Sequence, residues 1–107
     1  MQPIATLTMN PTIDVSTAVD RLEPGAKLRC SAPRRTPGGG GINVARGLQR
    51  LGAQVRAVYP AGGHTADTLD ALAEDEGLER VVIPTSAAVR ESFAVEVEAP
   101  GELYHFV

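Results

Sequence analysis

The sequence contains one cysteine, Cys30, and no apolar stretch near the roughly 18 residues that a membrane-spanning helix needs. A single cysteine excludes an intrachain disulfide and suits a reducing cytoplasm. Its place in the alternating run Lys27–Ser31 suggests a packing role rather than a catalytic thiol. No signal-peptide pattern opens the chain. His64 and His105 have no Cys, His or acidic neighbour at metal-ligand spacing, so no metal site is expected. Neither Gly-Lys-Ser/Thr nor G-x-G-x-x-G accompanies the glycines, which excludes a phosphate loop of the P-loop or Rossmann kind. Dense basic tracts are also missing. The net charge of −3 hides an asymmetry, with eight Lys/Arg against three acids in residues 1–60 and two against ten in 61–107. The basic charges are dispersed beyond Arg34-Arg35, so nucleic acid is not the expected partner. Solvated faces account for them, with attraction of a small anionic ligand as the functional alternative.

What is present reads as alternating elements of one domain or part of one. Ile4–Met9 is a strand, closed by Asn10-Pro11. Val15–Val19 and Lys27–Ser31 read as short strands separated by the turn Glu23-Pro24-Gly25. Residues 42–51 carry Ile42, Ala45, Leu48 and Leu51 at helical spacing, with Arg46, Gln49 and Arg50 opposite and Gly52 as the stop. A strand follows at Gln54–Tyr59, then a helix over about 66–76 that ends at Gly77, then a strand at Val81–Ile83. Phe93–Glu98 and Leu103–Val107 form a hairpin around Pro100-Gly101. Strand–helix–strand alternation implies a parallel α/β sheet. With only two helices, one sheet edge and part of one face are expected to be uncovered.

Pro37-Gly38-Gly39-Gly40-Gly41-Ile42-Asn43-Val44-Ala45-Arg46 is the most informative run. A bare glycine tract is often a linker. This one enters a helix without a spacer, where free backbone N–H groups and a partial positive charge collect. Asn43, one turn in, adds an amide that both donates and accepts. The combination suits a small, hydroxyl-rich anion.

Gly-Gly-x-Gly-x-Asn-x-Ala resembles the N-terminal signature of the pfkB/ribokinase family of carbohydrate kinases. Thr6-Leu7-Thr8-Met9-Asn10-Pro11-Thr12-Ile13-Asp14 resembles its opening strand. Lys27–Pro33, Tyr59-Pro60-Ala61-Gly62-Gly63 and Gly101–Val107 are similar to its ATP-dependent 6-phosphofructokinase branch. The resemblance covers the whole chain. It implies an α/β fold, with a ribokinase-like three-layer α/β/α core, here partial, and a small β-sheet lid with strands at about 12–33 and 91–107. The family's Gly-Ala-Gly-Asp motif, which carries the catalytic base, does not occur, so residues 1–107 are expected to be the N-terminal part of one kinase domain, inactive alone.

For the complete enzyme the resemblance implies phosphoryl transfer from ATP, with Mg2+, to fructose 6-phosphate, giving fructose 1,6-bisphosphate in glycolysis. Fructose 1-phosphate or tagatose 6-phosphate as acceptor, and a non-catalytic sugar-phosphate-binding or dimerisation module, are the alternatives. A lone aspartate is by default a surface group. Asp14, beyond the first strand where α/β ligands collect, instead matches the family's sugar-hydroxyl ligand. By the same resemblance Gly38 and Gly39 let the backbone approach the sugar, Gly41 serves the turn into the helix, and Asn43 binds the acceptor. Arg90 matches a phosphate-binding arginine, although Val89 stands where threonine is common. Lys27 and Arg29 are solvated residues or phosphate contacts to a neighbouring subunit of a lid-mediated homodimer. No catalytic residue is expected within the chain.

Overall fold

The structure is a computed structural model that describes residues 2–107. Seven strands and two helices follow in the order β1 (Ile4–Leu7), β2 (Thr12–Val19), β3 (Arg34–Gly38), α1 (Gly40–Arg50), β4 (Val55–Gly62), α2 (Ala66–Asp75), β5 (Arg80–Thr85), β6 (Arg90–Val97) and β7 (Glu102–Phe106), with a single 3-10 turn at Gly63–Thr65 before α2. They make two sheets. The first is parallel, in the order β1-β4-β5, with α1 and α2 as its crossovers. The second has the order β3-β2-β6-β7, antiparallel at both edges and parallel between β2 and β6.

Both helices lie on one face of the parallel sheet. Ile42 and Ala45 of α1 and Leu69 and Ala73 of α2 share one core with Val55, Ala57, Tyr59 and Ala61 of β4, and Ile13 and Val15 of β2 join it from the second sheet. Burying a side chain such as Ile42 or Leu69 is worth about 1.5–3 kcal/mol each. A polar clamp ties the two helices, since Arg46 of α1 pairs with Glu76 just beyond α2, and Gln49 Nε2 donates to the carbonyls of Glu76 and Gly77. The described residues therefore hold two layers of the α/β/α arrangement. Leu7, Val81 and Ile83, on or toward the opposite face, remain exposed. Among the described residues no helix is long and apolar enough to cross a membrane.

The lid strands differ from the expected ones. Lys27–Ser31 is not a strand; the partner of β2 is Arg34–Gly38, so the lid extends past residue 33 into the glycine loop. Only Ser31 bridges the earlier segment to β2, accepting from Ala18 N–H through Oγ (3.0 Å) and donating its own N–H to Ala18 O (2.8 Å). Arg-Arg-Thr-Pro-Gly has little β propensity, and it is tolerated because β3 is an edge strand, where Pro37 need not donate to a neighbour. Cys30 is correspondingly exposed and free, not packed in a core.

This layout sets the site. The chain leaves β1, turns at Asn10-Pro11, crosses the lid as β2 and returns as β3 directly into α1. The starts of β2 and β6, the end of β3 and the N-terminus of α1 therefore converge where the lid meets the parallel sheet.

Candidate functional site

Strand pairing arranges the lid's inner face in rungs. Gly38, Thr12 and Arg90 are register partners, as are Thr36, Asp14 and Ser92; the next rung on the same face is Arg34, Ser16, Ala94 and His105. Above these rungs lies a cleft of about 440 Å³, bordered on its other side by Gly39, Gly40 and Asn43 of the loop and α1.

Asp14 stands in the middle. Ser92 Oγ donates to Asp14 Oδ1 at 2.6 Å, a short charge-assisted bond that fixes the carboxylate. Its other oxygen occupies the space where a Cβ on Gly38 would be. Gly38 is thus required by the close approach of the carboxylate. Gly39 makes the turn into α1 with φ 120°, a left-handed value that disfavours other residues. Gly41, expected from the sequence to serve that turn, does not form it. It is already helical, and a Cβ on it would stand 2.5 Å from Thr8 Oγ1 and 2.6 Å from the Leu7 carbonyl oxygen, so no larger residue fits.

Helix α1 has no side-chain cap of its own. The buried Thr8, just past β1, supplies one across the chain by accepting the Ile42 N–H at 2.8 Å, while Asn43 N–H bonds Gly39 O. Asn43 is left lining the cleft with its amide. Arg90, at the first position of β6, lines the cleft too, and its Nη2 donates to Asn10 O at 3.2 Å, across the turn between β1 and β2.

The structure therefore brings Asp14, Gly38, Gly39, Asn43 and Arg90 together. Lys27 and Arg29 are exposed on the loop between β2 and β3 and do not line the cleft of their own chain. Sequence reasoning missed the role of Ser92, the cap from Thr8 and the presence of His105 at the cleft. Chemically the cleft offers a fixed carboxylate, an amide and backbone donors for hydroxyl groups, and a guanidinium for an anion. Among the described residues no three His, Cys, Asp or Glu side chains gather to hold a metal ion.

Comparison with known proteins shows the family. The pattern of the pfkB family carbohydrate kinases matches residues 6–103. The chain is 51% identical over 104 residues to an ATP-dependent 6-phosphofructokinase isozyme 2 of Mycobacterium tuberculosis, covering 97% of this chain and 31% of that protein. It is 44% identical over 107 residues to the isozyme 2 of Escherichia coli, covering 100% of this chain and 35% of that protein. The crystal structure of the Escherichia coli phosphofructokinase-2 in complex with fructose-6-phosphate superposes with a TM-score of 0.92 at 44% identity, again over 100% of this chain and 35% of that one. The chain spans about a third of the length of these relatives.

Proposed function

Because the chain belongs to the pfkB family of carbohydrate kinases, we propose that it is the acceptor-binding part of an ATP-dependent sugar-phosphate kinase, with fructose 6-phosphate as the acceptor. The observation that carries this reading is the Asp14 carboxylate, fixed by Ser92 and facing Asn43, Gly39 and Arg90 across one cleft. A carboxylate held this way accepts hydrogen bonds from two sugar hydroxyls and disfavours analogues that lack them. Asn43 and the first amides of α1 complete the hydroxyl contacts, and Arg90 takes the phosphate. These contacts orient the acceptor, and such positioning can lower a barrier by several kcal/mol.

ATP with Mg2+ would supply the phosphoryl group. Among the described residues no three His, Cys, Asp or Glu side chains gather as a cradle for the metal. The nucleotide site and the catalytic base belong, in this reading, to residues outside these 107.

The lid's other face supports a homodimer. Val19, Leu22, Leu28, Cys30, Val95, Tyr104 and Phe106 border an apolar hollow of about 410 Å³, and Phe93 and Phe106 are exposed. A second copy of the same lid is the proposed occupant, with its Lys27 and Arg29 reaching the first copy's cleft. A phosphofructokinase-2 from Escherichia coli is known in a tetrameric inhibited form, so relatives do assemble.

The test is calorimetric titration of this chain with fructose 6-phosphate, fructose 1-phosphate, tagatose 6-phosphate and fructose. Saturable binding of the first, with fructose at least tenfold weaker and the difference lost in Arg90→Gln, is expected. Equal binding of fructose and its 6-phosphate by the native chain contradicts the reading.

A further inference from the structure

We propose that His105 is a further ligand-contacting residue of this cleft, its imidazolium taking a phosphate oxygen of the bound sugar phosphate from the side opposite Arg90. The inference rests on the acceptor-binding reading above and deepens it. His105 pairs with Ala94, which pairs with Ser16, and all three line the cleft that Arg90, Asp14 and Asn43 also line. Arg90 and Ala94 are four residues apart on β6, about 13 Å, and β7 lies about 4.8 Å further across the sheet. Between the two side chains the wall carries Ser92, Ala94 and Ser16, with Asp14 beside Ser92 on the middle rung. The small residues Ser92, Ala94 and Ser16 leave room above them for a group the size of phosphate. Asp14, bound to Ser92, holds the hydroxyl side of the cleft.

The charge arrangement favours this role. The ionisable side chains lining the cleft are Asp14, Arg90 and His105. A phosphate dianion beside Asp14 needs more positive charge than one guanidinium supplies, and His105 is the group placed to give it. The other charged groups on this face are Glu96, beyond Ala94 on β6, and Arg34, across Ser16 on β3. His105 lies on the edge strand β7 and is exposed, so it contributes little to the core and can be replaced without loss of the fold.

The sign of the pH dependence follows. A phosphate that takes the imidazolium favours the protonated ring, so the contribution is present at acidic pH and is lost at alkaline pH. The second ionisation of the free phosphate near pH 6 is common to every variant, so the readout is the ratio of affinities between proteins at one pH. Fructose 6-phosphate should bind the native chain about 3–10-fold more tightly than His105→Gln at pH 6.5, and within twofold at pH 8.5. His105→Arg should restore tight binding at both. In the native chain, saturation with fructose 6-phosphate should move the titration of the His105 imidazole C–H resonances to higher pH and leave those of His64 unmoved. Saturable binding with His105 unmoved and a native to His105→Gln ratio near one at both pH values overturns this inference and leaves the acceptor-binding reading intact. No saturable binding by the native chain at either pH overturns both.

Discussion

Adding one methyl group at Gly38 should separate folding from ligand binding. A Cβ there would overlap Asp14 Oδ2 and stand 2.6 Å from Asp14 Cγ and 2.9 Å from Thr12 Cγ2. The obstructing atoms belong to the Asp14 and Thr12 side chains and none to the backbone, so in Gly38→Ala the carboxylate swings aside while the backbone stays. Its bond from Ser92 is lost. A hydrogen bond to a charged group is worth about 1.5–3 kcal/mol, and reduced freedom of the unfolded chain offsets about 0.4–1 of that. The net stability loss is about 1–2 kcal/mol, which lowers Tm by about 4–15 °C in a domain of this size. Binding suffers more specifically, because the displaced carboxylate no longer meets the sugar. Loss of about 2 kcal/mol of oriented contact corresponds to about a 30-fold rise in Kd. Calorimetry with fructose 6-phosphate and thermal melting of the same sample measure both quantities. Native affinity in Gly38→Ala would refute the reasoning, because it would mean that the Asp14 position is irrelevant to the ligand. Complete unfolding would refute it as well, since only side-chain atoms stand in the way.

Gly47 lies inside α1 with no atom within 4 Å of a Cβ placed there, so Gly47→Ala should stabilise the chain by about 0.5–1 kcal/mol and leave Kd unchanged; denaturant melts check this. The hydrogen bond from Arg80 holds the Asp70 carboxyl below its usual range, and the charge of Arg80 adds to it. A carboxyl depressed in the folded state stabilises at pH values above its unfolded pKa near 3.9 and loses that contribution as pH falls through the folded value. Asp70→Asn should therefore cost less than about 1 kcal/mol at pH 7, because the pair is partly exposed, and the difference from native should vanish toward pH 2–3 in denaturant titrations. Purified residues 1–107 should transfer no phosphate from MgATP to fructose 6-phosphate, and protein-dependent formation of the bisphosphate in a coupled assay would contradict the division of labour proposed above.

The legible parts of the sequence were those with a local physical signature. Ile42, Ala45 and Leu48 recur at helical spacing, and α1 follows them; Gly52 and Gly77 mark the ends of both helices. The glycine run was legible as the entry to a helix, and α1 begins within it at Gly40. Lys27–Ser31 misled because alternation alone does not say whether a partner strand is available, and β2 is instead paired by the unpromising Arg34–Gly38. Ser92 and His105 were not legible as site residues. Their place depends on the β2–β6 and β6–β7 registers, which join Asp14 to a residue 78 positions away. Thr8 was hidden for the same reason, since it caps a helix that begins more than thirty residues later.

The central claim is that the cleft around Asp14 holds a sugar phosphate. The most direct measurement is an amide and side-chain NMR titration of the isotopically labelled chain with fructose 6-phosphate. The account predicts saturable shifts at Gly39, Gly40, Asn43, Arg90 and Ser92, absent in Asp14→Ala. Shifts that are absent, or that persist unchanged in Asp14→Ala, would contradict it.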